Sequence, residues 1–309
     1  MSDKIRSLVN SVVLSGKITE VEVKKGINTN KSPDVRIKGE IQFGDTKVHT
    51  KKFEVYAAEF NKDKKESKTY DKVLAFANTV KSVAKVGEDE ATMVSIQAEF
   101  GTNDYVNQKD KLVEGLKIIA KFFNDPKVGE EFKGVADIEG YIQSIIPEVK
   151  GEEEKETGRL RVTVITTDFF GNIIPVKNII VPAEFREAFE EGYQEGQTAK
   201  LFIDFVVNQP ESKPVKSGGI GKQRVTQGKS YVEMILTGAD PAFDEDDEVM
   251  GISSEAIRIA LSERKAMLDD LKAKGYQGGK SGDSGKSDNR KGLGNGKPKP
   301  IEEDGDIPF

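Results

Sequence analysis

Residues 35–43 read Val-Arg-Ile-Lys-Gly-Glu-Ile-Gln-Phe, and this stretch decides the fold. Val35, Ile37, Ile41 and Phe43 alternate with Arg36, Lys38, Glu40 and Gln42. Successive side chains of a strand point to opposite faces, so this period of two marks a half-buried strand. Gly44 and Asp45 then punctuate the chain, and residues 46–56 supply a return strand, which predicts a hairpin. Upstream, residues 14–24 are strand-like, with Gly16 placed as a bulge or bend. Downstream, Val73, Phe76, Ala77, Val80 and Val83 share one face of a helix expected over residues 69–84. Strand patterns follow at 93–100 and 112–123.

The same order recurs further along the chain. Gly140-Tyr141-Ile142 echoes Gly16-Lys17-Ile18, Phe170-Gly171-Asn172 echoes Phe43-Gly44-Asp45, and Ala183-Glu184-Phe185 repeats Ala58-Glu59-Phe60. Strands are expected at 159–167, 173–181, 199–208 and 230–237. Pro182 opens a short helix over 183–191, and Gly192 stops it. The echoes lie 124 to 127 residues apart, which implies a tandem duplication. Five strands with a helix between the third and fourth is the order of the OB-fold, a small Greek-key barrel. The expected architecture is therefore mostly all-β: two tandem OB-like five-stranded barrels at 1–125 and 126–239. An acidic linker at 240–251 and a helix at 252–274 follow, the latter capped by Ser253 or Ser254 and ended by Gly275. Its sparse apolar stripe (Ile257, Leu261, Leu268, Leu271) suits packing on a barrel, self-association or a partner. Residues 275–300 hold eight Gly, three Ser and six Lys/Arg against two Asp, and are expected to be a disordered linker.

Composition excludes several chemistries. The 309 residues include no Cys and one His, His49, so disulfides, thiolate metal sites and a Ser-His triad are not expected. No phosphate loop of Walker spacing occurs, and the carboxylate clusters lie in unpatterned polar stretches. The expectation is no enzyme, no cofactor and no metal. No signal peptide or membrane-length apolar run is legible, which leads to a cytoplasmic expectation with no membrane partner. The net charge of −6 hides an uneven distribution. Residues 1–125 carry 22 Lys/Arg against 19 Asp/Glu, net +3; residues 126–239 carry 14 against 18, net −4; residues 240–309 carry 11 against 16, net −5. An acidic total is thus compatible with a polyanion on the first barrel.

Basic residues fall where an OB barrel presents its open face and loops. With Val35, Ile37, Ile41 and Phe43 inward, Arg36 and Lys38 face out. Val48 is expected inward, placing Lys47, His49 and Lys51 outward before a phase shift that exposes Tyr56. Lys24, Lys25 and Lys31 flank the first loop. In the second barrel Arg159 and Arg161 take the equivalent outward positions, with Lys177 on the return strand. Phe169 and Phe170 sit at the hairpin tip, where alternation prevents both from pointing into a core, so one is either exposed to stack or tucked over the barrel end. Residues 209–229 hold Lys213, Lys216, Lys222, Arg224 and Lys229 against Glu211 alone. Such a surface binds backbone charge and stacks bases. The acidic loop 151–156 opposes it.

Residues 301–309 read Ile-Glu-Glu-Asp-Gly-Asp-Ile-Pro-Phe. This acidic run with an apolar end, after a Gly-rich linker, resembles the C-terminal tip of bacterial single-stranded DNA-binding proteins. The resemblance covers the tip and the layout of folded part, linker and tip; the barrels carry no family signature. It implies a chain that holds single-stranded DNA and recruits replication, recombination or repair proteins. Phe309 would fill an apolar pocket of the partner, beside Ile307 and Pro308, while Asp304 and Asp306 steer toward its basic rim. The chain departs from the common pattern in having two barrels rather than one, no Trp, and an inserted helix. A tandem-barrel form, phage-encoded or cellular, accommodates all three and favours a monomer or homodimer in a bacterial or phage-infected cell. Two other functions remain open: an adaptor or loader whose tip imitates such a tail, and an RNA-binding OB protein.

Overall fold

The computed structural model describes residues 5–44, 49–61, 64–150, 155–208, 213–214, 225–226 and 230–276. The first half runs β1 (Asn10–Ile27), β2 (Pro33–Gln42), β3 (Thr50–Ala58), α1 (Lys68–Thr79), a single turn α2 (Val83–Val86) and β4 (Met93–Thr102). Two short strands, β5 (Tyr105–Val106) and β6 (Leu112–Val113), form a small hairpin before β7 (Leu116–Asn124). The second half repeats the plan as β8 (Lys133–Lys150), β9 (Lys155–Thr167), β10 (Ile173–Val181), a 3-10 turn at Ala183–Phe185, α3 (Arg186–Gly192) and β11 (Thr198–Asn208). Another small hairpin, β12 (Lys213–Pro214) and β13 (Val225–Thr226), precedes β14 (Tyr231–Ala239), and α4 (Ser254–Ala273) follows. Among the described residues no helix is long and apolar enough to cross a membrane.

Each half closes on itself. In the first, β1 pairs with β2 and β4, β2 with β3, β4 with β7, and β3 meets β7 in parallel. In the second, β8 pairs with β9 and β11, β9 with β10, β11 with β14, and β10 meets β14 in parallel. With a helix between the third and fourth strands of each set, both are OB barrels, as the periodicity predicts.

One bend makes this closure possible. The first part of β1 pairs with β4 up to Lys17, and from Lys17 onward the strand pairs with β2. At the corner stands Gly16, where a Cβ would lie 1.6 Å from the Gln42 carbonyl oxygen. Gly140 occupies the same corner of β8, and its Cβ would lie 2.6 Å from the Ile165 carbonyl oxygen. The echo in sequence is therefore one packing requirement met twice.

The halves are hydrogen-bonded to each other. Residues Asn10–Ser15 of β1 pair antiparallel with Lys133–Ile138 of β8, which makes one ten-stranded sheet of the two barrels. Val12 faces Ala136, 124 residues on, the offset that relates Gly16 to Gly140. Asn10 pairs with Ile138 and Leu14 with Gly134, so each partner is its neighbour's counterpart. That reciprocity is the mark of a local two-fold axis. Around it Phe205 of the second half packs edge-on against Phe43 and Phe100 of the first, each 6.2 Å away between ring centroids.

Helices cover the remaining openings. Ser67 caps α1 by accepting from the Tyr70 amide, and Phe76 stacks on Phe123 with centroids 3.9 Å apart. The expected helix over 69–84 stops at Thr79 because Thr92 takes both backbone groups of Lys81. The α4 helix, capped by Ser253, packs on the chain: Ile252 and Ile257 bury against Leu8, Ile165 and Ile173. Arg264 reaches the first half, 2.8 Å from Asp104 beside β5. The helix thus straps both barrels.

Replacing Gly16 with Ala is expected to cost about 1–3 kcal/mol in urea unfolding, because backbone must shift. Gly192→Ala, where nothing lies within 4 Å, is the control and should be neutral or stabilising.

Candidate nucleic-acid interface

Strand register arranges the outer face of the first barrel in rows, because directly opposed residues share a side. Lys24, Arg36 and Tyr56 form the row beside the β1–β2 turn. Glu22, Lys38 and Glu54 form the next, and Glu20, Glu40 and Lys52 the third. Positive charge and an aromatic ring therefore meet at one end, while acids intersperse the rest. The Arg36 guanidinium lies 5.1 Å from the centroid of the Tyr56 ring, which is half exposed. Such a stack presents a cation and a π-face together. Asn28 shapes the adjoining turn by accepting from the amides of Asn30 and Ser32, and Lys31 adopts φ 59° there. Lys24 bonds Glu22 at 2.9 Å and holds that carboxyl below its usual range. Lys25 reaches Asn78 of α1.

Two expected orientations are corrected. Alternation continues without a shift along β3, so Lys51 opposes Ile41 and shares the inner side with Phe53, Val55 and Ala57. His49 stacks on Phe43 instead of facing out, with centroids 6.3 Å apart. The outward cation of this strand is Lys52, which the unbroken pattern Lys-Lys-Phe-Glu-Val-Tyr-Ala would have identified. Lys47 lies outside the described residues.

The second barrel uses its arginines internally. Glu148, with no exposed side chain, accepts from Arg159 at 2.7 and 2.8 Å, from Arg161 at 3.1 Å and from the Thr157 hydroxyl at 2.7 Å. Arg159 also makes two 3.1 Å bonds to Glu233 of β14. The Arg159 bonds hold the Glu148 carboxyl down at about 2, and Glu148 then Glu233 raise Arg159 in return. Arg159 and Arg161, expected at outward positions to bind DNA, are neutralised within a cluster that ties β8, β9 and β14 together. Lys177 remains on the surface, 3.4 Å from Glu114 of the first half.

Phe169 and Phe170 are both exposed, at 78% and 79%. Asp168 closes their turn by accepting from the Phe170 and Asn172 amides, and Gly171 takes φ +83°. The rings sit edge to face, 5.6 Å apart. Hence the question of which ring is exposed resolves to both. A further exposed ring, Tyr105, stands on the β5–β6 hairpin; the sequence pattern gave no strand at β5 and ran β6 together with β7 as residues 112–123. The side chains of Lys213, Lys216, Lys222, Arg224 and Lys229 lie outside the described residues, as do Asp304, Asp306, Ile307, Pro308 and Phe309. Among the described residues no group of three or more His, Cys, Asp or Glu is placed to hold a metal ion.

Fold and surface together define a tandem OB-barrel protein with a basic, aromatic row on one barrel and an aromatic tip on the other. The chain belongs to the YorF family, whose model matches residues 9–274. No curated protein matches it. Among solved structures it is similar to a deletion mutant of the single-stranded DNA binding protein from Thermus aquaticus, at 7% identity and a TM-score of 0.49, over 79% of this chain and 100% of that one. The wild-type Thermus aquaticus protein gives 7% identity and a TM-score of 0.46 over 76% and 94%.

Because Glu148 is depressed to about 2 from 4.5, its stabilisation is complete above about pH 4.5 and is lost as pH falls through 2. Glu148→Gln is expected to lower stability by about 3 kcal/mol at neutral pH. The gap between variant and wild type should close during acid titration toward pH 2, followed by circular dichroism.

Proposed function

We propose that the chain is a sequence-independent single-stranded DNA-binding protein. The observation that carries this reading is the Lys24–Arg36–Tyr56 row on the open face of an OB barrel, with Arg36 stacked on a half-exposed ring. Phosphates meet the cations and a base stacks on the tyrosine, an arrangement indifferent to sequence. Phe169 and Phe170 add a stacking platform on the second barrel. The protein performs no covalent chemistry in this reading. It shields unwound DNA during replication, recombination or repair in a bacterial or phage-infected cytoplasm, as a monomer or homodimer. Residues 1–125 and 126–239 act as the two DNA-holding segments. Residues 240–251 and the helix over 252–274 link them to a spacer at 275–300 and a recruiting tip at 301–309.

Titrating oligo-dT and duplex DNA while salt is raised tests the central claim. Strong preference for the single strand with a steep salt loss is expected. Equal affinity for both forms, or no binding at low salt, refutes it. Tyr56→Ala, and Phe169→Ala with Phe170→Ala, should each weaken oligo-dT binding by about 1–3 kcal/mol per lost stack.

The acids among the outer rows and the neutralised Arg159 and Arg161 favour one competing reading, an adaptor that binds protein through its barrels. An adaptor would retain its partners in pull-downs without DNA and ignore oligo-dT. Competition between oligo-dT and oligo-U separates RNA binding. Deleting residues 302–309 should abolish recruitment of partners and modestly raise DNA affinity, since its acids compete for the basic row. Unchanged recruitment would remove the tip from this account.

A further inference from the structure

A cleft of about 610 Å³ opens where the barrels meet. Its first-barrel wall includes Lys51, Phe100 and Lys117, and Val232 and Met234 of β14 form the opposite wall. The acids in its lining are paired within it: Glu54 with Lys117, and Glu40, which accepts from the Thr50 hydroxyl. Lys51 differs from the other cations. Its ammonium lies 5.4 Å from the centroid of the Phe205 ring and has neither a hydrogen bond nor an ion pair among the described residues. Burial pushes its pKa down from the ordinary lysine value. A desolvated cation on an aromatic platform, facing a cleft, is placed to receive an anion.

The shape says which kind. A nucleotide-sized cavity with an apolar wall suits a base and sugar beside the charge. The cleft also shares Lys38, Gly39, Glu40 and Lys52 with a neighbouring groove of about 460 Å³ on the outer face of the first barrel. A continuous track fits a polymer better than a free small molecule. We propose that this cleft is a crossover site, in which Lys51 contacts a backbone phosphate of single-stranded DNA passing between the barrels while Val232 and Met234 pack against its nucleotide. This rests on the proposed DNA-binding function and adds a site that the outer face does not include.

The test uses the full chain and oligo-dT of roughly 30 nucleotides, enough to engage two OB-folds. Lys51→Met keeps an apolar contact with Phe205 and removes the charge. It is expected to weaken binding roughly tenfold, the value of one charged hydrogen bond. The slope of log affinity against log salt should fall by about 0.7, one single-strand phosphate. Lys51→Arg should restore the slope. If Lys51→Met keeps wild-type affinity and slope, or alters thermal stability alone, the crossover site is wrong while DNA binding by the outer face stands. If the wild-type chain does not bind oligo-dT, the proposed function fails and the crossover site with it.

Discussion

The antiparallel pairing of β1 with β8 is the constraint on which the rest of the molecule depends. It sets Val12 against Ala136 on a local two-fold axis and so fixes how the second barrel is presented to the first. Several features shared by the halves gather beside it: Phe205 between Phe43 and Phe100, Lys51 over Phe205, and the cleft walled by both barrels. The pairing is possible only because β1 and β8 are long enough to serve two neighbours in succession, turning at Gly16 and Gly140. The α4 strap then adds apolar contact on one barrel and Arg264 on the other.

The two barrels divide the chemistry between them. Position 24 is a lysine at the end of a basic row, whereas 124 residues on, position 148 is a fully buried glutamate. The nearby arginines differ accordingly in how many acids they meet. Arg36 stays half exposed between Tyr56 and Asp34, 3.4 Å away, while Arg159 and Arg161 converge on Glu148. A buried carboxylate requires such partners, because leaving it alone would cost several kcal/mol. The hairpin tips diverge likewise. Phe43 is used in the contact between barrels, and Phe170 stands in solvent. One barrel therefore offers exposed cations, each paired with one acid, beside an aromatic, and the other offers exposed aromatic rings.

Much of this was legible in the sequence because it is local. Period-two runs gave strand faces, Gly16 and Gly140 marked the corners, and residues 173–181 were bounded as observed. Failures came where contact is distant. Assigning Lys51 to the outer face required a phase shift that β3 does not make; its true neighbour Phe205 is 154 residues away in sequence. Arg159 and Arg161 alternate outward as expected, yet alternation gives no information on which charges a side chain will meet. Glu148 and Glu233 reach them only after β8, β9 and β14 have assembled. The cleft was invisible for the same reason, since no motif announces the pairing of β1 with β8.

Covalent duplication gives this asymmetry its functional sense. In a two-fold homodimer every substitution appears on both copies, so a residue that improves the contact between barrels also changes both binding faces. Joining the copies in one chain releases that coupling. Phe43 can serve the interface while its counterpart serves the surface, and Lys24 can remain basic while Glu148 stiffens the other barrel. A symmetric pair of faces would present a bound polymer with two equivalent directions. The faces of this chain differ in charge and in aromatic exposure. On the proposed function, a strand running from the basic row toward Phe169 and Phe170 would meet a different order of contacts from one running the other way.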